Sequence, residues 1–299
     1  MRLILAPTFY RFLTNSLSVE RLTVAIADLP PSLVGTRMVQ LSDFHYDGFR
    51  LPDKLLRQAI AASNQADPDI ILLTGDYITD NPAPIYALAA HLKTLRSRLG
   101  IYAILGNHDI YYQYGAKAEV TAALTRVGIQ VLWNQVAYPF GQALPLVGLA
   151  DLRSREFNPA PVLAQISDQT PRIVLSHNPD SAAVLESFRV DLQLSGHTHG
   201  GQIVLPGLGP IAAHLNTIRQ YIPFRWRRRL PYLNSHHLIV RHWQWAQGLH
   251  RIGRNQLYVN RGLGAYFPGR FLCPPEVTII TLTTQAEGKV CPESSNQSY

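Results

Sequence analysis

The stretch Ile101-Tyr102-Ala103-Ile104-Leu105-Gly106-Asn107-His108-Asp109 joins five apolar residues to a glycine and three side chains able to bind a metal or move a proton. A short, unbroken apolar run reads as a strand buried on both faces, the habit of parallel sheets covered by helices. Open α/β sheets bind their ligands just beyond the carboxyl ends of such strands. Outward along the chain the arrangement recurs. Residues 70–73 run into Gly75-Asp76, and residues 38–41 into Ser42-Asp43-Phe44-His45. Between these runs, residues 52–64, 84–99 (stopped by Gly100) and 117–127 (closed by Gly128) are expected to be helices.

The second half repeats the pattern less cleanly. Strands are expected at 129–133, at 144–149, at 172–175 before Ser176-His177, and at 192–194 before Ser195-Gly196-His197-Thr198-His199. Runs at 257–259 and 277–282 are expected to complete a second sheet. Two sheets sharing one core with helices outside absorb this many strands, and no composition break marks a linker. The expected organisation is an N-terminal extension with a first edge strand over 1–33 and one domain over 34–283. The basic, aromatic region near 207–254 is expected to be a long excursion over the active face or irregular structure with one helix near 211–221, and a loose polar tail covers 284–299.

Composition narrows the function. Of 299 residues, 46% are hydrophobic and 16% charged, which excludes a disordered chain. Two cysteines, Cys273 and Cys291, read as ordinary cytosolic thiols, since a core this large needs no staple. No apolar run reaches the length of a spanning helix, and the amino terminus lacks the cleavage signal of a secretory leader. Arg2 and Arg11 beside Phe9, Tyr10, Phe12 and Leu13 suit either a membrane-surface anchor or a frayed helix resting on the domain. The expected location is cytoplasmic, or peripheral on the cytoplasmic membrane.

The net charge of +7 is concentrated: residues 192–275 hold ten arginines and no Lys, Asp or Glu. The peak is Phe224-Arg225-Trp226-Arg227-Arg228-Arg229. Arginine mixed with aromatic rings suits an anionic lipid surface or amphiphilic substrate, single-stranded nucleic acid, or a solvated loop whose Arg stems cover rings. Arginine rather than lysine favours phosphate contacts, and nucleic acid would want a longer positive groove. Arg225, Arg227, Arg228 and Arg229, with Arg153 and Arg155, are therefore candidate substrate contacts.

Five of eleven histidines lie with aspartates just past the strand ends, against glycines. Carboxylates and imidazoles gathered in a buried place are costly without cations, and divalent metals remove that cost. Asp43/His45 and His197/His199, two apart at a strand end, are expected to point the same way and to grip one metal or adjacent metals. The mixed N/O set excludes an iron–sulfur centre and fits Mn²⁺, Fe²⁺, Zn²⁺ or Co²⁺.

In order and composition, Asp43-x-His45, Gly75-Asp76, Gly106-Asn107-His108-Asp109, His177 and Gly196-His197-Thr198-His199 resemble the signature blocks of the calcineurin-like metallophosphoesterases. Asn260-Arg261-Gly262-Leu263-Gly264 and Arg270-Phe271…Pro275-Glu276 look more narrowly like its bacterial branch of small, often membrane-associated phosphodiesterases. The resemblance implies a four-layer αββα sandwich of two mixed sheets. It implies one metal on Asp43, His45, Asp76 and His199, and a second on Asp76, Asn107, His177 and His197, with Asp76 bridging. His108 would protonate or stabilise the leaving oxygen, and Asp109 would orient it. The implied activity is phosphodiester hydrolysis by a metal-activated hydroxide, with Mn²⁺ ahead of Fe²⁺ or Zn²⁺. Two alternatives stand beside it: a pyrophosphatase for a lipid-linked nucleotide such as UDP-2,3-diacylglucosamine, and a non-catalytic module that binds anionic lipid.

Overall fold

Two adjacent parallel strands, β2 (Arg37–Leu41) and β3 (Ile70–Leu73), show how the apolar runs are used. Successive side chains of a strand face opposite ways. Ile70 and Leu72 accordingly enter a layer shared with the second sheet, while Ile71 and Leu73 enter a layer shared with helices. The β3 run is apolar throughout because neither face meets water. The computed structural model describes residues 17–111, 115–214, 222–223 and 239–284.

The first sheet has the order β1 (Ser18–Ile26), β14 (Glu276–Thr284), β2, β3, β4 (Ile101–Ala103), β5 (Gln130–Val131). The second runs β12 (Gly248–Ile252), β13 (Asn255–Val259), β9 (Leu192–Ser195), β8 (Ile173–Leu175), β7 (Leu146–Gly148), β6 (Gln135–Ala137). Both are mixed. The first is parallel except between β14 and β2; the second is antiparallel only at its two outermost pairs. A small hairpin joins β10 (Val204–Leu205) and β11 (Gly209–Pro210). Leu72, Met38, Ile280, Ile173, Leu192 and Leu194 meet between the sheets. Leu or Ile side chains buried this fully contribute about 1.5–3 kcal/mol each. Gln40 crosses the same layer, its Nε2 donating to Thr74 Oγ1 (3.0 Å) and to the Ser195 carbonyl (2.9 Å), so the two site-bearing sheets are tied together.

Helices cover the outer faces. Over the first sheet lie α1 (Asp53–Gln65), α2 (Ile85–Leu92) and α4 (Ala116–Arg126), with the short α3 (His108–Tyr111) before the last. Over the second lie α5 (Pro159–Leu163) and α6 (Ser181–Leu185). In α1, Pro52 precedes the first turn, Asp53 complements the helix dipole, and Leu55, Leu56, Ala59 and Ile60 are buried along one stripe. The four-layer αββα sandwich is the expected architecture.

Two expectations need correction. The 277–282 run belongs to the first sheet: β14 inserts between β1 and β2, so the chain returns to the sheet where it began. The helix expected over 84–99 ends at Leu92. Beyond it Asn64 captures the backbone, its Nδ2 donating to the Thr94 carbonyl (2.9 Å) and its Oδ1 accepting from Arg96 N (2.8 Å). Those bonds replace the helical ones. The helix expected near 211–221 is helical at 211–214 and then leaves the described residues, as do the amino-terminal segment through residue 16 and the tail from 285. Among the described residues, no helix is long and apolar enough to cross a membrane.

Candidate metal centre

Every candidate ligand lies on a loop leaving the carboxyl end of a central strand. Asp43 and His45 follow β2, Asp76 follows β3, Asn107 follows β4, His177 follows β8, and His197 and His199 follow β9. These strands are neighbours within their sheets, and the sheets face each other, so residues spread over the chain arrive at one place. The loops are bonded to one another: Asp43 N donates to the Gly75 carbonyl (2.9 Å) and His45 N to that of Asp76 (3.0 Å).

The pairs two apart in sequence do not converge by strand alternation. Asp43, His45, Asp76, His197 and His199 all have φ between 42° and 71°. A left-handed conformation costs a non-glycine residue on the order of 1–3 kcal/mol and persists where surrounding structure imposes it, as at functional sites. His197 and His199 consequently diverge, one to each of two clusters. Close approach explains two glycines: a Cβ on Gly106 would strike Asp76 Oδ1, and one on Gly196 would strike Asp43 Oδ2.

Asp43, His45 and His199 form one cluster and Asp76, His177 and His197 another, with ligand atoms within 4.8 Å of one another in each; His45, Asp76 and His108 make a third such group that joins the two. Asp76 stands between them. Its Oδ2 lies 3.5 Å from His45 Nε2 and 3.1 Å from His177 Nε2. His45 Nε2 is 3.1 Å from His199 Nε2, which is 3.5 Å from Asp43 Oδ1. None of the seven candidate ligands is more than 7% exposed, so the cluster is removed from bulk water.

The imidazoles are oriented by backbone carbonyls. Nδ1 of His45, His177 and His199 meets the carbonyls of Ile78 (3.1 Å), Thr74 (2.7 Å) and Gly264 (3.2 Å), which leaves Nε2 as the inward lone pair. His197 is reversed: its Nε2 meets the Ile239 carbonyl (2.9 Å), leaving Nδ1 inward. Behind His199, the buried Arg270 guanidinium donates to the carbonyls of Gly264 (2.6 Å) and Arg261 (2.7 Å) and holds the loop. Asn107 Oδ1 is buried without a hydrogen-bond partner, and His177 Nε2 has only the Asp76 carboxylate beside it. Inward ring nitrogens and carboxylate oxygens, with the orphaned Asn107 Oδ1 among them, fit divalent cations.

The electrostatics agree. Burial, then the neighbouring His108, holds His45 well below the usual imidazole range. Burial, then Arg270, does the same to His199, and burial with His177 takes His197 down to about 3. Burial opposes charge on His177 too, but the Asp76 carboxylate outweighs it and holds the ring up to about 10. Burial raises Asp43 to about 6 against the pull of His177.

His108 lies at the mouth. Its backbone N–H donates to Asp76 Oδ1 (2.9 Å) and its Nδ1 meets the Thr79 carbonyl (2.8 Å). Asp109 does not orient it, contrary to expectation. The Asp109 carboxylate accepts instead from the N–H groups of Gly106 (2.8 Å), Asp76 (2.9 Å), Tyr77 (2.9 Å) and Ile78 (3.3 Å). His108 and Asp109 open α3, where successive side chains diverge by about 100°. Asp109 therefore faces inward, fastening the β3 and β4 loops through bonds worth about 1.5–3 kcal/mol each.

A cavity of about 400 Å³ opens onto the centre. Asp76, Asn107, His108, His197 and His199 line its polar side, and Ile203, Ile211, Ile239, Trp243 and Pro268 its apolar side. Arg153 reaches it and donates to the Ile239 carbonyl. Arg155 is exposed and does not line it. Arg225, Arg227, Arg228 and Arg229 lie outside the described residues. Tyr266, not anticipated from the sequence, also lines the cavity, its phenol 3.2 Å from His108 Nε2. The orienting carbonyls were equally hidden, since a carbonyl has no residue signature.

A family model described as calcineurin-like phosphoesterase matches residues 36–201. The chain is 34% identical over 268 residues to the uncharacterized metallophosphoesterase YkuE of Bacillus subtilis, covering 87% of this chain and 83% of that protein. It is 33% identical over 250 residues to phosphodiesterase YaeI of Escherichia coli, covering 82% of each. To UDP-2,3-diacylglucosamine pyrophosphatase LpxG of Chlamydia trachomatis it is 28% identical over 314 residues, covering 89% of each.

Proposed function

Because the chain belongs to the calcineurin-like phosphoesterase family, and with it to the metal-dependent phosphoester hydrolases, we propose that it hydrolyses a phosphodiester at a dinuclear centre loaded with Mn²⁺. One ion would be held by Asp43, His45, Asp76 and His199, and the other by Asp76, Asn107, His177 and His197; the grouping of their ligand atoms and the unpartnered Asn107 Oδ1 support this. Two bound divalent ions offset the phosphate charge and supply a hydroxide nucleophile at neutral pH. The observation that carries this reading is Asp76, a buried carboxylate within 3.5 Å of imidazoles from both clusters.

The protein's own groups do the remainder. The Thr79 carbonyl fixes the His108 ring so that Nε2 faces the cavity, where it hands a proton to the departing oxygen. Asp109 keeps the two loops in register. No side-chain nucleophile is called for, and the buried Cys273, its thiol turned to the His199 carbonyl at 3.3 Å, does not serve as one.

The apolar side of the cavity favours a second, narrower reading: an organic group of low polarity beside the phosphate, as in a lipid-linked pyrophosphate. The similarity to LpxG supports it, and an anionic membrane surface on the cytoplasmic side would be the partner that delivers such a substrate. The test compares bis(p-nitrophenyl) phosphate, p-nitrophenyl phosphate and a diacylated UDP-sugar, each with added Mn²⁺ and after chelation. Turnover of the diester faster than the monoester, abolished by chelation and restored by Mn²⁺, is expected. Preference for the acylated nucleotide would select the second reading. Chelation-insensitive turnover would contradict both, and a protein that binds anionic vesicles but turns over none of the three would be a non-catalytic module.

A further inference from the structure

We propose that Tyr266 is a positioning residue for His108, holding its Nε2 edge at the cavity where the leaving group departs. This rests on the role given to His108 above and goes beyond it. The Tyr266 phenol lies 3.1 Å from His45 Nδ1 and 3.2 Å from His108 Nε2, so it links a candidate metal ligand to the proposed acid. Its place is fixed from several sides. The backbone N–H of Tyr266 donates to Gln202 Oε1 (2.5 Å), the Arg50 guanidinium lies over the ring at 5.1 Å, and the His45 and His199 rings lie 4.9 and 5.4 Å away.

The donors and acceptors give the linkage a direction. His45 Nδ1–H, shared with the Ile78 carbonyl, donates to the phenol oxygen. His108 Nδ1–H donates to the Thr79 carbonyl, so neutral His108 presents a lone pair at Nε2, and the phenol O–H donates to it. When His108 carries a proton on Nε2, that proton passes to the leaving oxygen as the P–O bond breaks. The phenol, which keeps its own proton throughout, then donates to the vacated Nε2. Tyr266 thus holds the His108 ring in place, as donor to bare Nε2 and as acceptor from protonated Nε2, with that edge kept at the cavity.

The test uses the full chain loaded with Mn²⁺, comparing Tyr266→Phe with His108→Ala on two diesters. Bis(p-nitrophenyl) phosphate releases a phenolate that needs little protonation, whereas a dialkyl phosphate releases an alkoxide that needs it fully. Tyr266→Phe is expected to lower kcat on the dialkyl phosphate about tenfold, a loss of one hydrogen bond's worth of stabilisation. KM and metal content should be unchanged, with little effect on the p-nitrophenyl diester. In the double variant the two losses should not add, since both act through one proton. If His108→Ala shows this leaving-group signature while Tyr266→Phe slows both substrates alike or neither, the proposal is overturned and the role of His108 stands. If His108→Ala itself lacks the signature, the role of His108 is overturned, and this inference with it.

Discussion

Replacing Asp76 with asparagine is expected to remove nearly all turnover and to take bound metal from two ions per chain to fewer than one. The carboxylate is the group shared by both clusters, and an amide offers one weak oxygen donor and no charge. Changing a residue that merely supports a metal ligand costs 10–100-fold, so a bridging ligand should cost more, on the order of 10³-fold in kcat/KM. The fold should persist. The amide oxygen can still accept from His108 N, as Asp76 Oδ1 does at 2.9 Å, and the new NH₂ can turn to His45 Nε2, which lies 3.5 Å from Asp76 Oδ2. Metal analysis beside a thermal melt separates the two effects: lost metal with a retained melting transition is the expected pair. Two ions retained in the variant would mean that Asp76 does not bridge.

His108→Ala should behave differently. A positioned acid contributes roughly 10²–10⁴-fold, and turnover of an ester with a poor leaving group should fall within that range. Metal content should stay at two, because Asp43, His45 and His199 and Asp76, His177 and His197 each bring three ligand atoms together without His108, whose Nε2 meets the Tyr266 phenol. Its removal leaves the Thr79 carbonyl to water at the mouth and disturbs no buried layer. Loss of an ion would make His108 a ligand; its ring does lie near Asp76 and His45.

Much of this centre was legible in the sequence for one reason. The strands are apolar on both faces, so a polar residue at a strand end marks where the sheet stops and its ligand-binding edge begins. That logic gathers the seven candidate ligands together with His108 and Asp109, and the family resemblance separates the two groups. It fails where the outcome depends on backbone path. Asp43/His45 and His197/His199 were expected to align as strand residues, but left-handed turns send each where extended backbone could not. Asp109 follows His108 directly, which suggests a pair, yet a helix begins there and turns the two apart. An apolar run at 277–282 announces a buried strand without saying in which sheet it is buried, and only pairing with β1 and β2 decides. Tyr266 lies 158 residues from the histidine it touches, and an aromatic residue in a glycine-rich loop carries no signal of that contact.

The account turns on two metal ions meeting at one aspartate. Anomalous diffraction from crystals of the Mn²⁺-loaded protein tests this most directly. Two peaks about 3.5–4 Å apart are predicted, with Asp76 between them, Asp43, His45 and His199 around one, and Asn107, His177 and His197 around the other. A single peak, or two that do not share Asp76, would contradict it.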